Sequence, residues 1–388
     1  MDALKERHFS QFRDRAFRIT DLLQSFKPLN KVVISLSNSF CSMVRGIYRS
    51  SNNKSGVLLI LSTHRLGDTV FTMPAILSIF GQYKEFKKYV VCFSDTKPIL
   101  KIELTDEELI PVNKNDFKFG RRVASFSARK KIKNLNPEII FDLTCQITSA
   151  SLIYNTKANL VVGSNRIYLK GLYDRFIETD SINNYVQRYL SIVGLVIQLN
   201  TTDQMNFFFR EVNSTSKILI HPFAIRKAKE WNLKRFIELA EQLMINYDVE
   251  IIYPPGFIES DIKVEIEKVG IKSIETNSVT HLIKKIKECS LFISNDSGPT
   301  YIAALLGKAT FAIYGPTNPG FSLPPGIHHT YIMKKLKCSA VDRSSCFTYA
   351  GIYCPSNECM QSLSVENVLK ALLNFMDKIN FHNTFKLK

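Results

Sequence analysis

The sequence predicts an α/β protein built from two doubly wound domains, and three observations support this prediction. The chain has 388 residues, which is more than one ordinary hydrophobic core organises. Short apolar runs typical of buried strands alternate with helical patterns along both halves. Polar loops with Gly, Ser and Asp follow several of these runs, where ligands bind beyond the carboxyl ends of a parallel sheet.

Composition and charge narrow the class of protein. The chain is 45% hydrophobic and 22% charged, as in globular proteins. It has no run near the ~20 apolar residues of a membrane-spanning helix, and its charged N-terminus lacks the pattern of a signal peptide. We therefore expect a cytoplasmic protein. The net charge of +16 predicts anionic partners, but no helix-turn-helix, zinc-finger or RNP-type pattern favours nucleic acid.

A basic extension, residues 1–55, precedes the first predicted domain. It holds ten Lys and Arg residues against four acids. Its apolar residues recur at roughly helical spacing and predict one or two amphipathic helices; they are Phe9, Phe12, Phe17, Ile19, Leu22, Leu23 and Phe26. Such helices either lie on an anionic membrane surface or pack on the protein with their charged face in water.

The first domain is predicted over residues 56–205. Val57–Leu61 is a continuous apolar strand, and a loop with Arg65 and Gly67 leads into a helix that ends near Phe80. Asp68 stands where a helix N-cap is expected. Later strands are predicted at Tyr89–Phe93 and up to Asp142.

A basic stretch lies between Lys114 and Lys133, where Lys and Arg alternate with Phe residues. One interpretation is a solvated helix face. The other is a site for phosphates or carboxylates, because the guanidinium fork matches those groups. Arg121 and Arg122 are the candidates for the second role.

The second domain is predicted over residues 206–388. Its predicted elements are the strands Lys217–Ile220, Val249–Tyr253 and Leu291–Ile293 and the helices Leu233–Ile245, 259–269, 279–288 and Val365–Met376. The loop from Ser294 to Gly298 opens a short helix, with Pro299 in its first turn and Gly307 as its left-handed end. Asp296 or Ser297 is expected to cap this helix.

The start of this helix is a candidate anion site. Free backbone N–H groups from Ser297 to Tyr301 are expected at the positive end of the helix dipole, where they can donate to an anion. The same Asp-Ser-Gly-Pro sequence is also good turn-and-cap chemistry, so a purely structural role remains open.

Several motifs together resemble glycosyltransferase family 9, the heptosyltransferases of lipopolysaccharide core assembly. The matching residues are Arg65-Leu66-Gly67-Asp68 with Pro74, Lys229 with Trp231, Ser294–Pro299, and Gly315-Pro316-Thr317 through Pro319. The resemblance covers roughly residues 57–370. It implies the GT-B architecture, in which two Rossmann-like domains face each other across a cleft, with acceptor on the first and donor on the second.

The resemblance also implies a reaction. A sugar leaves a nucleotide diphosphate with inversion, Asp68 acts as the general base, and Lys229 pairs with the donor phosphates. ADP-heptose is the implied donor, and a lipid-linked anionic core sugar at the inner face of the inner membrane is the implied acceptor. Phe223 stands where the family has Gly, and Tyr301 where it has His. These departures leave the donor sugar open, and a hexose or N-acetylhexosamine donor is an alternative. A non-catalytic nucleotide-sugar-binding protein is a separate alternative, and the presence of Asp68 and Lys229 counts against it.

The resemblance assigns further residues to each substrate. The implied donor-binding residues are His221, Phe223, Ala224, Lys229, Glu259, Asp296, Ser297, Gly298, Pro299, Thr300 and Tyr301. The implied acceptor-binding residues are Arg65, Gly67, Arg121, Arg122 and Arg166.

We expect no cofactor and no metal, because no D-x-D pair is present in the chain. A late cysteine cluster is the one weak metal candidate, and its members are Cys338, Cys346, Cys354 and Cys359. Their spacing lacks the paired C-x₂₋₄-C knuckles of zinc sites. A reduced or redox-labile cluster is the favoured interpretation.

Overall fold

The computed structural model describes residues 27–120, 122–164, 167–199, 216–346, 354 and 356–381. They form two compact units, one within residues 27–199 and the other within residues 216–381. Each unit has a six-stranded parallel sheet with helices between its strands. The predicted α/β class is confirmed. The predicted domain boundary, between residues 205 and 206, lies outside the described residues and stays a prediction.

The first unit contains eight described strands and six described α-helices. The strands are β1 Val57–Ser62, β2 Lys87–Phe93, β3 Leu109–Val112, β4 Phe117–Lys118, β5 Val123–Ala124, β6 Ile139–Asp142, β7 Leu160–Ser164 and β8 Arg175–Ile177. The helices are α1 Lys27–Tyr48, α2 Leu66–Gln82, α3 Lys97–Leu100, α4 Phe126–Asn134, α5 Ile147–Ile153 and α6 Tyr185–Val193. Short 3₁₀ turns lie at Asp106–Glu108, Lys114–Asp116 and Ile167–Leu172.

The main sheet of this unit has the order β3-β2-β1-β6-β7-β8. All its strands are parallel, whereas β4 and β5 form a separate antiparallel pair. The strand order reverses between β1 and β6, so the loops that follow these two strands flank the topological switch point. Because β1 is covered on both faces, its sequence is a continuous apolar run.

The second unit repeats this arrangement. Its strands are β9 Lys217–His221, β10 Asp248–Tyr253, β11 Lys272–Glu275, β12 Leu291–Asn295, β13 Ala309–Tyr314 and β14 His329–Met333. Its helices are α7 Leu233–Met244, α8 Ser260–Lys268, α9 Val279–Lys287, α10 Gly298–Leu305, α11 Pro319–Ser322, α12 Glu358–Gln361 and α13 Val365–Lys378, with a 3₁₀ turn at Lys227–Lys229.

The second sheet has the order β11-β10-β9-β12-β13-β14, and all its strands are parallel. Its order reverses between β9 and β12, where Ser294 pairs with His221. The loops after these two strands therefore flank the second switch point. Gly307 follows α10 with φ of +71°, which confirms the predicted left-handed end of that helix.

The described part of the basic extension is residues 27–55, in which α1 is the helix. The apolar residues that predicted its helices, Phe9 to Phe26, lie outside the described residues. Among the described helices, none has the length and apolar character needed to cross a membrane.

A buried polar cluster fixes the end of β6. The Asp142 carboxylate accepts hydrogen bonds from the Cys145 N–H (2.8 Å), the Ser149 hydroxyl (2.8 Å) and the Tyr173 hydroxyl (2.9 Å). Burial raises the pKa of Asp142 to about 6, and these donors only partly oppose that shift. Gly163 in β7 lies directly under the Tyr173 ring, where a Cβ would stand 2.3 Å from a ring carbon.

We predict that Gly163→Ala destabilises the first unit by about 1–3 kcal/mol, because the added methyl group must displace the Tyr173 ring from its bond to Asp142. The matched control is Gly81→Ala in α2, where a Cβ meets nothing within 4 Å. That change should be neutral or stabilise by about 0.5–1 kcal/mol. Calorimetry of the three proteins checks this. Equal melting temperatures for Gly163→Ala and wild type would contradict it.

His221, the last residue of β9, predicts a pH dependence. Its ring is buried and stacks on Phe292, and burial lowers its pKa to about 4, against 6.5 for a free side chain. The folded state therefore binds fewer protons than the unfolded state between these values, so stability falls as pH falls through this range. The loss should reach about 2 kcal/mol between pH 7 and pH 5.

Urea unfolding followed by fluorescence of the single Trp, Trp231, measures this in the second unit. We expect His221→Phe to remove most of the fall in unfolding free energy between pH 7 and pH 5. The control is His281→Gln, at a partly exposed histidine, which should keep that fall. A wild-type slope that His221→Phe leaves unchanged would show that this histidine is not the cause.

Candidate functional site

The loop after β1 is tied to the loop after β6 by hydroxyl and imidazole groups. The Thr63 N–H donates to Thr144 Oγ1 (2.8 Å), and the two threonine hydroxyls are 3.1 Å apart. His64 Nε2 lies 3.2 Å from the Leu143 carbonyl oxygen. These bonds fix the β1–α2 loop at the switch point, immediately before Asp68.

Asp68 lies in the first turn of α2, and the prediction that it is the N-cap is wrong. The helix begins at Leu66, because the Thr69 N–H already donates to the Arg65 carbonyl (2.9 Å), and Arg65 takes the N-cap position. Asp68 is partly exposed, and its carboxylate makes no hydrogen bond or ion pair with any described residue. It is therefore free to accept a proton from a bound molecule.

Two neighbours of Asp68 were not among the predicted site residues. Burial lowers the pKa of His64, and the negative charge of Asp68 and the Leu143 carbonyl only partly oppose that shift. Tyr189 on α6 packs edge-on against the His64 ring, with 5.4 Å between ring centroids. Burial, followed by the charge of Asp68, raises the pKa of Tyr189. A neutral histidine and a neutral tyrosine thus stand beside the carboxylate.

The structure brings three of the predicted acceptor and base residues together. Arg65 is the N-cap of α2, Gly67 and Asp68 lie in its first turn, and the Arg65 side chain is exposed. Arg122 lies in the β4–β5 turn and is also exposed. Arg121 and Arg166 lie outside the described residues. The lysines of α4 are exposed, which fits both interpretations of the basic stretch, so the choice between them stays a prediction.

In the second unit, the side chain of Asn295 ties both ends of the β9–α7 connection to the end of β12. Its Oδ1 accepts the Trp231 N–H (2.9 Å), and its Nδ2 donates to the Pro222 carbonyl (2.7 Å). The loop after β9 and the 3₁₀ turn that carries Lys229 are therefore both held at the end of β12. Asn295 belongs to the Ser-Asn-Asp-Ser motif, but a role as a loop anchor could not be read from its sequence position.

Lys229 and Asp296 form an ion pair at this point. Lys229 Nζ lies 2.5 Å from Asp296 Oδ2. Asp296 is only 3% exposed, whereas Lys229 is 19% exposed, so the ammonium is the member of the pair that solvent or a ligand can reach. Two hydroxyls also donate to Asp296: Thr317 to Oδ2 (2.5 Å) and Tyr301 to Oδ1.

These partners control the charge of Asp296. Burial alone would raise its pKa, but the Lys229 ammonium and the three donated hydrogen bonds outweigh burial and hold the pKa below its usual range. Asp296 is therefore an anion that orients Lys229. Thr317, which closes the Gly-Pro-Thr motif after β13, is a contributor that was not among the predicted site residues.

The start of α10 offers fewer free N–H groups than predicted. Pro299 has none, and the Thr300 N–H donates to the Ser297 carbonyl (3.1 Å). The Thr300 hydroxyl is bonded to the Asn295 carbonyl (2.9 Å). Ser297 and Gly298 are the partly exposed residues of this segment. The anion-binding capacity therefore rests on the backbone of these two residues and on Lys229.

The predicted cap of α10 is only partly correct. Ser297 takes the N-cap position, but its hydroxyl makes no capping bond. Asp296 does not cap the helix, because its carboxylate is held by Lys229, Thr317 and Tyr301.

The remaining predicted donor residues differ in their surroundings. His221 and Phe223 are buried, and Phe223 packs edge-on against Phe257. The Ala224 N–H donates to Glu230 Oε1 (3.1 Å), which fixes this loop against the Lys229 turn. Glu259 is the exposed N-cap residue of α8, and none of its described contacts joins it to Lys229 or Asp296. Its assignment stays a prediction.

The late cysteines lie beside the end of β13. Burial raises the pKa of Cys359 to about 11, and the nearby Cys346, Cys354 and Cys338 add to this shift. All four carry free thiols. Within the described ranges, no group of three or more His, Cys, Asp and Glu side chains is arranged to hold a metal ion.

Comparison with known proteins places these features in a family. A model of glycosyltransferase family 9 (heptosyltransferase) matches residues 125–348, more than half of the chain. Lipooligosaccharide heptosyltransferase 2 of Campylobacter jejuni serotype O:2 is 24% identical over 328 residues, which are 80% of this chain and 95% of that protein.

Solved structures show the same fold. The Escherichia coli ADP-heptose lipopolysaccharide heptosyltransferase II is similar with a TM-score of 0.62 at 17% identity, covering 84% of this chain and 99% of that one. A family 9 glycosyl transferase from Veillonella parvula gives a TM-score of 0.65 at 18% identity, covering 83% and 97%. The chain belongs to glycosyltransferase family 9 and is a glycosyltransferase with two Rossmann-like units of the GT-B class.

Proposed function

We propose that this protein transfers heptose from ADP-heptose to a lipopolysaccharide or lipooligosaccharide core acceptor, with inversion at the anomeric carbon. The main support is the pair of switch-point sites: in one unit the carboxylate of Asp68, which has no hydrogen bond or ion pair with a described residue, and in the other an oriented ammonium, Lys229. The printed names of the relatives support the choice of substrates, since they describe heptosyltransferases and, for the Escherichia coli structure, ADP-heptose.

Asp68 is the proposed general base. As the acceptor oxygen bonds to the anomeric carbon, Asp68 takes the hydroxyl proton, and the bond from that carbon to the diphosphate oxygen breaks. A carboxylate with no described partner can accept this proton without first losing a salt bridge. His64 and Tyr189 beside it are neutral, so neither side chain forms a salt bridge that would oppose protonation of the carboxylate.

Lys229 is the proposed partner of the leaving diphosphate. Its ammonium has three N–H groups, and Asp296 uses one of them. The others can donate to a phosphate oxygen, and the backbone of Ser297 and Gly298 at the start of α10 adds the positive end of a helix. Because Asp296 is buried and ionised, it fixes the ammonium before the donor arrives.

The sugar bound beside Lys229 is proposed to be heptose, on the names of the relatives. Two departures from the family pattern lie in this region, and both side chains are buried: Tyr301 is bonded to Asp296, and Phe223 packs on Phe257. These contacts support a donor loop that is held differently from that of other family members. A hexose or N-acetylhexosamine donor, or binding without transfer, is the competing proposal.

The acceptor of this reaction would be lipid-linked and anionic. The net charge of +16 supports such a partner. We accordingly propose that the protein works in the cytoplasm, at the inner face of the inner membrane, and needs no cofactor or nucleic acid.

The test of the base is Asp68→Asn, which keeps the shape of the side chain but cannot accept the proton. We expect kcat to fall at least ~10²-fold, with the affinity for ADP unchanged. Turnover is measured as ADP release from ADP-heptose with a purified core acceptor. Turnover within a fewfold of wild type would remove Asp68 from the mechanism.

The test of the donor site is Lys229→Ala in a thermal-shift panel of ADP, UDP, GDP and CMP and their sugar conjugates. We expect selective stabilisation of wild type by ADP and ADP-heptose, and at least roughly tenfold weaker binding by the variant, since a hydrogen bond to a charged group contributes about 1.5–3 kcal/mol.

Lys227→Ala is the matched control, because Lys227 is two residues away and its exposed ammonium pairs with Glu230 (2.7 Å). It should bind ADP like wild type. Selective stabilisation by UDP or GDP would replace the proposed substrate, and no shift with any nucleotide would favour the non-catalytic alternative.

A further inference from the structure

Helix α1 carries a row of six large apolar side chains on its exposed side. We call this row the outer face of α1, and it consists of Val32, Val33, Leu36, Phe40, Met43 and Ile47. Each of these side chains is 54–67% exposed. A helix on a globular protein normally has the opposite arrangement, with its apolar side toward the core. A contiguous apolar row of this size marks a surface that binds a partner.

The polar side of α1 is what attaches the helix to its unit. The Ser37 hydroxyl donates to the Tyr168 carbonyl (2.7 Å), and the Gly171 N–H donates to Asn38 Oδ1 (3.2 Å). The backbone comes so close that a Cβ on Gly171 would lie 2.2 Å from the Asn38 carbonyl oxygen.

A buried ion pair fixes the same side of the helix. Arg45 pairs with Asp174 (2.6 Å) and also donates to the Ala158 carbonyl (2.8 Å). Turning the apolar face inward would break these bonds and leave the buried Asp174 carboxylate without a cation, with only the Val161 N–H still donating to it (2.8 Å). The outward orientation of the apolar face is therefore a property of the folded unit.

The charges around the outer face have one sign. Residues 27–55 contain no Asp or Glu, and the exposed Lys31 and Arg49 lie on the polar side of α1, near its two ends, where Arg49 also pairs with Asp174 (3.3 Å). Beside α1 is a cavity of about 550 Å³, lined in part by Asn38 and Ser42 of the helix and by the exposed Lys170 and Arg175. The carboxylate in this lining, Asp174, is already neutralised by Arg45.

A second copy of the chain fits this surface poorly. Residues 27–55 of one copy offer no Asp or Glu to pair with the cations of another. Positions beside the row, such as Ser39 and Gly46, offer no charge of opposite sign. The +16 charge of each chain adds repulsion. An anionic bilayer has both complements, an apolar interior for the row and phosphates for the cations.

We propose that the outer face of α1 docks on an anionic lipid bilayer. Leu36, Phe40 and Met43 insert at the boundary of headgroups and acyl chains, and Lys170 and Arg175 bind headgroup phosphates in the adjacent cavity. The inference rests on the proposed function only in that such a bilayer would carry the proposed acceptor.

The test is co-sedimentation of the full chain with vesicles of phosphatidylcholine alone or mixed with phosphatidylglycerol, without nucleotide. Wild type should bind the anionic vesicles. The triple variant Leu36→Ser, Phe40→Ser, Met43→Ser should bind them at least about tenfold more weakly. The control is Ile245→Ser with Val341→Ser, which removes apolar side chains that are 79% and 76% exposed in the second unit, and it should bind like wild type.

Charge is tested with Lys170→Gln and Arg175→Gln, which should remove the preference for anionic over neutral vesicles. Equal vesicle binding by wild type and the triple variant would overturn the proposal. So would a wild-type dimer, detected by light scattering, that the triple variant converts to a monomer, because the face would then bind a second copy.

Turnover with a delipidated, water-soluble core acceptor separates this proposal from the proposed function. The triple variant should keep wild-type turnover there, since no membrane is involved. Vesicle binding without any turnover by wild type would remove the proposed function and leave the docking surface intact. Turnover without vesicle binding would remove the docking surface and leave the proposed function intact.

Discussion

The amide of Asn295 is the constraint on which the donor-side geometry depends. One buried side chain holds the Trp231 backbone and the Pro222 carbonyl at the end of β12. These bonds hold the residue that follows the Lys229 turn against the strand that leads into Asp296. Both bonds use backbone groups that would otherwise be buried without partners, so losing the amide would cost stability as well as geometry.

The Lys229–Asp296 pair places a charged carboxylate in a buried position. A buried carboxylate is costly, and the ammonium and two hydroxyls offset that cost. Because the anion is more deeply buried than the cation, the pair presents positive charge outward while its sum is near zero. A nearly neutral pair does not attract phosphate over a long range, so attraction must come from the helix start and the basic surface.

Much of the fold could be predicted from the sequence, because strands buried on both faces are continuous apolar runs, as in Val57–Leu61. The position of Lys229 beside the Ser-Asn-Asp-Ser loop followed only from the family resemblance. Details set by three-dimensional contacts could not be predicted. Asp68 was expected as a cap because helix starts favour Asp, but the Thr69–Arg65 hydrogen bond moves the start earlier. Thr317 reaches Asp296 from 21 residues away, and no local pattern announces that bond.

Helix α1 is a second case in which three-dimensional contacts could not be predicted from the sequence. The amphipathic helices of the extension were predicted from Phe9 to Phe26, not from the residues of α1, and helical spacing in any case does not say which face of a helix meets the protein. The polar face of α1 packs on the protein because its contacts are specific: the backbone at Gly171 approaches closely, and Asp174 needs a cation. Attachment by hydrogen bonds and an ion pair leaves the apolar face available, whereas attachment by apolar packing would have consumed it. A unit that holds this helix by its polar side can therefore stay folded while its apolar side binds something else.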